Sequence, residues 1–254
     1  MTGKIYLIGA GPGDPELMTM KAIRMLKEAD VVVYDRLVSD EIVAMAQPDA
    51  QMIFVGKASN CHTVPQERIN EILVEKARAG HIVARVKGGD PLIFGRGSEE
   101  AAYVMSHGVA VEYAPGITAA QGAASVTGIP LTHRGLATGV QYVTGHRQAD
   151  GALDLDWKRL ANPDTTLVVY MGVGNIGQIA MGLMTEGLAG ATPVMAISRA
   201  STPHESRMLS TLDQVAQDTR RAGLKPPTLF IIGKVVSLYD TIQLDPSQEV
   251  AAHA

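Results

Sequence analysis

The first half of the chain alternates short apolar runs with segments whose apolar residues recur every three or four positions. The apolar runs predict buried strands at residues 4–8, 31–34, 52–55, 82–86 and 109–113. Helices are predicted between them at 17–29, near 40–46, from the capping-box pair Thr63 and Gln66 to Gly80, and at 98–107. Strand alternating with helix predicts a parallel, doubly wound α/β sheet.

The pattern changes at Ala114-Pro115-Gly116. Beyond this point, strands are predicted at 139–144, 167–170, 194–198 and 228–232. Helices are predicted around 118–126, around Trp157, at 175–186 and at 211–222, the last opened by a second capping-box pair, Thr211 and Gln214. We therefore predict two α/β domains, residues 1–114 and 115–240, and a loosely ordered polar tail at 241–254.

Composition narrows the class of protein. With 254 residues, of which 46% are hydrophobic and 19% charged, the chain can bury large cores. A net charge of −4 argues against a basic nucleic-acid surface. No apolar run approaches the roughly 20 residues of a membrane span, and Asp14 and Glu16 interrupt any signal-like stretch. The single cysteine, Cys61, is consistent with a cytoplasmic protein.

Glycine and charged residues cluster just after the predicted strands. In open parallel sheets, ligands bind outside the carboxyl ends of the strands. The clusters at those ends are Gly9–Asp14, Tyr34–Arg36, Val55–Lys57, Lys87–Pro91 and Pro115–Thr118. The architecture therefore predicts one ligand site at this end of the first sheet.

Two motifs allow more than one interpretation. Gly9-Ala-Gly11 begins like a dinucleotide fingerprint, but Asp14 occupies the position of the third glycine, and Pro12 and Pro15 remove N–H donors. NAD binding is therefore disfavoured, and a tight turn without ligand stays open. Gly88-Gly-Asp-Pro91 is often only a turn, although its glycines also allow a ligand to approach the backbone. No metal is expected, because Cys61-His62 lacks further ligands.

Nine segments together carry a family resemblance: Gly9–Pro15, Val32–Val38, Val55–Lys57, Gly88–Pro91, Phe94–Glu100, Pro115–Ala119, Gly128–Arg134, Val143–His146 and Tyr170–Gly172. In this order and spacing, over about residues 3–240, the chain resembles the uroporphyrinogen III C-methyltransferases of the tetrapyrrole methylase superfamily. Tyr34–Val38 with Leu131–Arg134 points to this member of the superfamily.

The resemblance implies a fold and an activity. The fold would have two α/β domains, an N-terminal parallel sheet and a C-terminal mixed sheet, with the active site in the cleft between them and a homodimer as the assembly. The activity would transfer two methyl groups from two S-adenosyl-L-methionine molecules to carbons 2 and 7 of uroporphyrinogen III, giving precorrin-2. The chain shows no additional dehydrogenase or chelatase domain, so we expect it to stop there. Sirohaem, cobalamin and haem d1 remain equally open as end products.

The resemblance also assigns residues. The methyl donor would be bound by Pro12, Gly88, Gly89, Asp90, Ile93, Thr118, Ala119, Met171, Ala200 and Thr228, although Ala200 often is glycine in the family. Substrate contacts would be Glu99, Arg134, His146 and Met171, and catalytic positions Asp35, Lys57 and Arg96. A substrate with eight carboxylates requires fixed cations, for which Arg36, Lys57, Arg96, Arg134, Arg147, His133 and His146 are candidates.

Arg96 is expected to lie nearest the reacting centre. A guanidinium keeps its proton far above neutral pH, which makes arginine a poor base, so we favour a role in steering a substrate carboxylate that accepts the proton. Three other functions stay open: another tetrapyrrole methylase, such as a precorrin C20-methyltransferase or a diphthine synthase relative; a non-catalytic sensor of S-adenosylmethionine or a tetrapyrrole; and a nicotinamide dehydrogenase.

Overall fold

A computed structural model describes residues 3–56, 64–146 and 153–239. The chain divides into two compact units, Met1–Ala119 and Ala120–Ala254, whereas the sequence pattern placed the division after residue 114. Several sequence-based predictions lie outside the described residues: those for Lys57, Cys61-His62, Thr63, Arg147 and the tail 241–254. Within the described ranges, no helix has the length and apolar character that crossing a bilayer requires.

The first unit is a parallel sheet with helices on both faces. Its elements are β1 (Lys4–Gly9), α1 (Met20–Glu28), β2 (Val31–Tyr34), α2 (Asp40–Val43), β3 (Gln51–Phe54), α3 (Gln66–Arg78), β4 (Ile82–Lys87), α4 (Gly97–Ser106) and β5 (Ala110–Ala114). The strands run in the order β3-β2-β4-β1-β5, and each pair is parallel. The predicted N-terminal parallel sheet is therefore confirmed.

Alternation along the strands divides the core of this unit in two. Tyr6 and Ile8 pack with Met25 of α1 on one face, whereas Leu7 packs with Leu73 of α3 on the other. Because all five strands are parallel, their carboxyl ends lie at one end of the sheet. The loops that follow β1, β2, β4 and β5 are therefore neighbours.

The second unit contains a mixed sheet. Its elements are α5 (Ala119–Thr127), β6 (Gly139–Thr144), α6 (Trp157–Leu160), β7 (Thr165–Tyr170), α7 (Ile176–Thr185), β8 (Pro193–Ser198), β9 (Ser206–Thr211), α8 (Val215–Arg221) and β10 (Thr228–Ile232). The strand order is β6-β7-β10-β8-β9; β6 and β7 are parallel, and the other neighbours are antiparallel. The predicted mixed sheet is confirmed.

The predictions from the sequence pattern were wrong for three local features. It missed β9, an edge strand whose largely polar residues form no apolar run. The second capping box is wrong, because Thr211 ends β9 and α8 begins at Val215; the Thr211 hydroxyl instead donates to the Asp213 carboxylate. The first capping box, which placed Gln66 at the third helical position, is also wrong in register, because α3 begins at Gln66 itself and Pro65 is its N-cap residue.

Candidate active site

The loops after β1, β4 and β5 meet backbone to backbone. Gly11 and Gly89 exchange two hydrogen bonds, with N···O distances of 3.1 and 2.6 Å. A Cβ added at Gly9 would lie 2.6 Å from the Cα of Gly116, and one added at Gly116 would lie 2.8 Å from the Cα of Gly9. Both distances are shorter than real Cβ contacts, so glycine is required for this close approach.

Asp90 joins two of these loops. Its Oδ1 accepts a hydrogen bond from the Leu92 N–H at 2.8 Å, and its Oδ2 accepts one from the Gly116 N–H at 3.0 Å. Gly89 has a φ of +69°, and a Cβ there would point towards Ala119 N and Thr118 Cα, at 3.8 and 3.9 Å. The structure therefore brings Gly89, Asp90, Thr118 and Ala119 together.

The remaining donor-site residues predicted in this unit lie in the same loops. Pro12 follows Gly11, and the Ile93 N–H donates to the Asp90 carbonyl at 3.3 Å. Gly88 packs against the loop after β2, since a Cβ there would lie 2.7 Å from the Leu37 Cβ. Four of the five strand ends thus contribute to one surface, as the parallel architecture predicted.

Arg96 and Glu99 form an ion pair at the start of α4. Arg96 is the N-cap residue with a φ of +59°, a left-handed conformation that is unfavourable for a side chain of this size. Its Nε and Nη2 donate to Glu99 Oε2 at 3.0 and 2.6 Å. The hydrogen bond raises the pKa of Arg96 and lowers the pKa of Glu99. Arg96 therefore stays a cation, as a steering role requires.

In the second unit, four predicted residues lie at the same end of the sheet. Strands β6, β7 and β8 run in one direction and β10 runs against them, so three carboxyl ends meet the start of β10. His146, Met171 and Ala200 follow the three strands, and Thr228 begins β10. Met171 is about half exposed, with a φ of +53°.

Two residues of this unit differ from the simplest expectation. The Thr228 hydroxyl donates to the Lys225 carbonyl at 2.7 Å, so it can only accept a further hydrogen bond. Arg134 lies in a turn closed by the hydrogen bond from the Ala137 N–H to the His133 carbonyl, at 2.9 Å. That turn leads into the start of β6, whereas His146 follows the end of the same strand.

Comparison with known proteins identifies the family. The model of the Tetrapyrrole (Corrin/Porphyrin) Methylases matches residues 4–216. The chain belongs to the tetrapyrrole methylase family. A uroporphyrinogen-III C-methyltransferase of Paracoccus denitrificans is 52% identical over 256 residues, which cover 99% of this chain and 89% of that protein. A siroheme synthase of Nitrosospira multiformis is 50% identical over 237 residues, but this chain spans only 50% of its length.

A solved structure adds the ligand class of the tetrapyrrole methylases. The uroporphyrin-III C-methyltransferase of Thermus thermophilus complexed with S-adenyl homocysteine is 44% identical, with a TM-score of 0.79 over 93% of this chain and 94% of that chain. The predictions of two α/β domains, of this family, and of a C-methyltransferase that depends on S-adenosylmethionine are confirmed.

The first-unit loops of this tetrapyrrole methylase fit such a donor. The donor has a cationic sulfonium and an amino-acid end, so it requires backbone groups and a carboxylate rather than a phosphate site. Gly89 leaves the backbone accessible, and each Asp90 oxygen keeps a second lone pair. Asp14 caps a 3₁₀ turn through the Glu16 N–H at 2.8 Å, and a carboxylate there opposes phosphate binding.

A buried charge cluster escaped the sequence-based predictions. Glu100 is fully buried, and its Oε1 accepts hydrogen bonds from Lys87 Nζ at 2.7 Å and from Gln66 Nε2 at 3.0 Å. Arg85 Nη2 lies 3.4 Å from the same oxygen and 3.4 Å from Asp35 Oδ2. Burial, and secondarily Arg85, lowers the pKa of Lys87. The sequence did carry one signal for this cluster: Arg85 and Lys87 stand two positions apart in the otherwise apolar strand β4.

The remaining catalytic predictions have different outcomes. Asp35 is half-buried at the end of β2, where its Oδ1 accepts from the Leu37 N–H at 3.0 Å and its Oδ2 from Arg85. Lys57 lies outside the described residues. Among the residues that are described, no group of three or more His, Cys, Asp or Glu side chains could hold a metal ion.

Proposed function

We propose that the chain is a uroporphyrinogen III C-methyltransferase that adds methyl groups to carbons 2 and 7 of its substrate and releases precorrin-2. The observation that carries this proposal is the 52% identity, over nearly the whole chain, with a relative of that name. The strand-end loops add physical support, because they offer a carboxylate and accessible backbone where a cationic donor would bind.

The residues proposed to hold S-adenosylmethionine lie on both units. Those of the first unit are Pro12, Gly88, Gly89, Asp90, Ile93, Thr118 and Ala119, and those of the second are Met171, Ala200 and Thr228. Bound there, the donor supplies an already activated methyl group. Asp90 would accept from the donor's ammonium group, and the polarizable Met171 would contact an adenine or a porphyrinogen face. Ala200 would contact the donor through its backbone.

The residues proposed for the substrate must neutralise its carboxylates. Arg96 presents a fixed guanidinium, because Glu99 holds it through two hydrogen bonds. We assign Glu99 to orienting Arg96, since a carboxylate by itself would repel a polyanion. From the second unit, His146 is proposed as a polar contact and Met171 as an apolar contact with the ring, and Arg134 is proposed as a further cation.

Each methyl transfer forms one carbon–carbon bond, breaks the sulfur–carbon bond and returns an electron pair to sulfur. The methylated ring carbon becomes quaternary, so the proton that restores the charge balance has to leave from another ring atom, the pyrrole N–H or an adjacent meso carbon. We assign its transfer to Asp35 and Lys57 as acid–base positions, with Arg96 steering the substrate. Most of the acceleration would come from positioning, because the leaving group is already activated. We further propose that the enzyme is cytoplasmic and works as a homodimer. Light scattering of the purified protein tests the dimer through its molar mass.

Mass spectrometry of the product is the deciding experiment. The protein is incubated anaerobically with uroporphyrinogen III and excess S-adenosylmethionine, and a gain of two methyl groups is expected. A product with a single methyl group at full donor concentration would contradict the proposal. A parallel incubation with precorrin-2 separates the rival, because a C20-methyltransferase would methylate precorrin-2 and leave uroporphyrinogen III unchanged.

A further inference from the structure

The buried charge cluster of Arg85, Lys87, Gln66 and Glu100 connects three elements of the first unit. Arg85 and Lys87 belong to β4, Gln66 opens α3, and Glu100 lies in the first turn of α4. Their shared point is Glu100, whose Oε1 accepts from both Lys87 and Gln66. The two helices are thereby tied to the central strand beneath the carboxyl end of the sheet.

The cluster reaches two of the residues proposed for catalysis. Arg85 donates to Glu100 and, through the same Nη2, to Asp35 at the end of β2. Glu100 also follows Arg96 by one helical turn, and its N–H donates to the Arg96 carbonyl at 3.1 Å. A displacement of Glu100 would therefore move both Asp35 and Arg96.

Stability alone is a weak reason for such a cluster. Arg85 is 3% exposed, Lys87 6% and Glu100 0%, so all three have lost nearly all their hydration. Apolar residues of similar volume stabilise a core as well as or better than a buried ion pair does. The β4 face that carries Arg85 and Lys87 begins with the apolar Val83, which packs against α3 and α4. The arrangement is better explained by the positions that it imposes on its neighbours.

We propose that Glu100 is a positioning residue, which acts through Arg85 on Asp35 and through the first turn of α4 on Arg96. This inference rests on the proposed function, in which Asp35 and Arg96 serve the methyl-transfer reaction. Glu100 itself is fully buried, so we assign it no direct contact with substrate or donor.

Glu100→Gln is a well-matched test. Glu100 Oε2 accepts no hydrogen bond but lies 3.4 Å from Arg85 Nε, so the amide can keep its oxygen at the position of Oε1 while its NH₂ faces the Arg85 guanidinium. The volume is nearly unchanged; the negative charge between Arg85 and Lys87 is lost, and an N–H donor takes the place of an acceptor beside Arg85. We expect kcat to fall by about tenfold to a hundredfold, because the reacting groups are misplaced. The dissociation constant for S-adenosylhomocysteine should change by less than about threefold.

Charge balance provides the rescue. In the double variant Glu100→Gln with Lys87→Met, one cation is removed together with the carboxylate charge, and Arg85 is again balanced by Asp35. This variant should recover a large part of kcat. Glu112→Gln is the matched control, because Glu112 makes an exposed ion pair with Lys4 in β1. It should leave kcat unchanged.

Two results would overturn the proposal. The first is a Glu100→Gln variant with a lower melting temperature but wild-type kcat. The second is a crystal structure of that variant in which Asp35 and Arg96 keep their positions relative to Gly89 and Asp90. The crystal structures also separate the two ideas: a wild-type protein that does not methylate uroporphyrinogen III contradicts the proposed function, whereas the side-chain positions decide the role of Glu100 without any substrate.

Discussion

The carboxylate of Asp90 accepts a hydrogen bond from the Gly116 N–H at 3.0 Å and so joins the end of β4 to the end of β5. Its other oxygen accepts from the Leu92 N–H within its own loop. One side chain thus holds two of the loops proposed to bind the methyl donor. The bond to the Gly116 N–H is partly buried, so this N–H depends on the carboxylate, whereas the Leu92 N–H is exposed to water as well.

Asp90→Ala leaves both N–H groups without their acceptor. We expect the free energy of unfolding to fall by about 1–3 kcal/mol and the affinity for S-adenosylhomocysteine to fall by about tenfold or more. Urea unfolding and titration calorimetry measure the two effects. The control is Asp49→Ala, at an exposed position. Lower stability with unchanged ligand affinity would remove Asp90 from the donor site.

Gly116→Ala tests the close packing of the loops. The added Cβ would press on the Gly89 carbonyl and lie 2.8 Å from the Gly9 Cα, so the backbone must shift. We expect a loss of about 1–3 kcal/mol in unfolding free energy, with weaker S-adenosylhomocysteine binding. Gly139→Ala is the control, because nothing lies within 4 Å of a Cβ there. Its unfolding free energy should stay within about 0.5 kcal/mol of wild type.

Arg96→Lys tests the fixed guanidinium. A lysine keeps the charge but cannot make the two hydrogen bonds that Arg96 Nε and Nη2 make to Glu99. We expect kcat/KM for uroporphyrinogen III to fall by about tenfold or more. The melting temperature should barely change, since the pair is about half exposed. Arg68→Lys is the control, with an exposed pair to Glu75 in α3. If Arg96→Lys kept the turnover of the wild type, the proposal that Arg96 is central to the reaction would be wrong.

The buried Lys87 should make stability depend on pH. Burial, with Arg85 as the second cause, lowers its folded-state pKa below the ordinary 10.5, so the unfolded chain binds the proton more tightly. The resulting cost is complete below the folded pKa and disappears as the pH rises towards 10.5. Wild type should therefore gain stability relative to Lys87→Met as the pH increases from neutral.

Urea unfolding of both proteins at several pH values measures this difference, because groups common to the two chains cancel. Lys27→Met, at an exposed position in α1, should show a pH-independent difference from wild type. A Lys87→Met difference that stays constant up to pH 10 would show that Lys87 titrates normally, and that the cluster does not disfavour its proton.

The sequence pattern predicted most elements because their cause is local. The run Val31–Tyr34 is buried on both faces, and a continuous apolar segment of that length predicts such a strand directly. The same holds for β10, whose bounds agree with the prediction. The rule that ligands bind at the carboxyl ends of parallel strands then placed Gly89, Asp90 and Thr118 in one neighbourhood.

The failures have a common physical origin. Strand β9 is recognisable only by its pairing with β8, because its own residues carry no apolar run. Thr211 and Gln214 have the spacing of a capping box, but pairing with β8 extends β9 to Thr211, so α8 begins only at Val215. In both cases, a pairing between distant residues overrides a short-range signal.

The sequence by itself therefore determined the alternation of strands and helices, the division into two α/β units, and the glycine-rich loops that the family shares, since each is written in neighbouring residues. Only the tertiary structure decided that Asp90 meets Gly116, that β10 runs against β7 and β8, and that Glu100 meets Arg85 and Lys87. The reason is burial. A charged side chain that has lost its hydration requires a polar partner, and the fold supplies that partner from residues far away along the chain, which sequence spacing does not reveal.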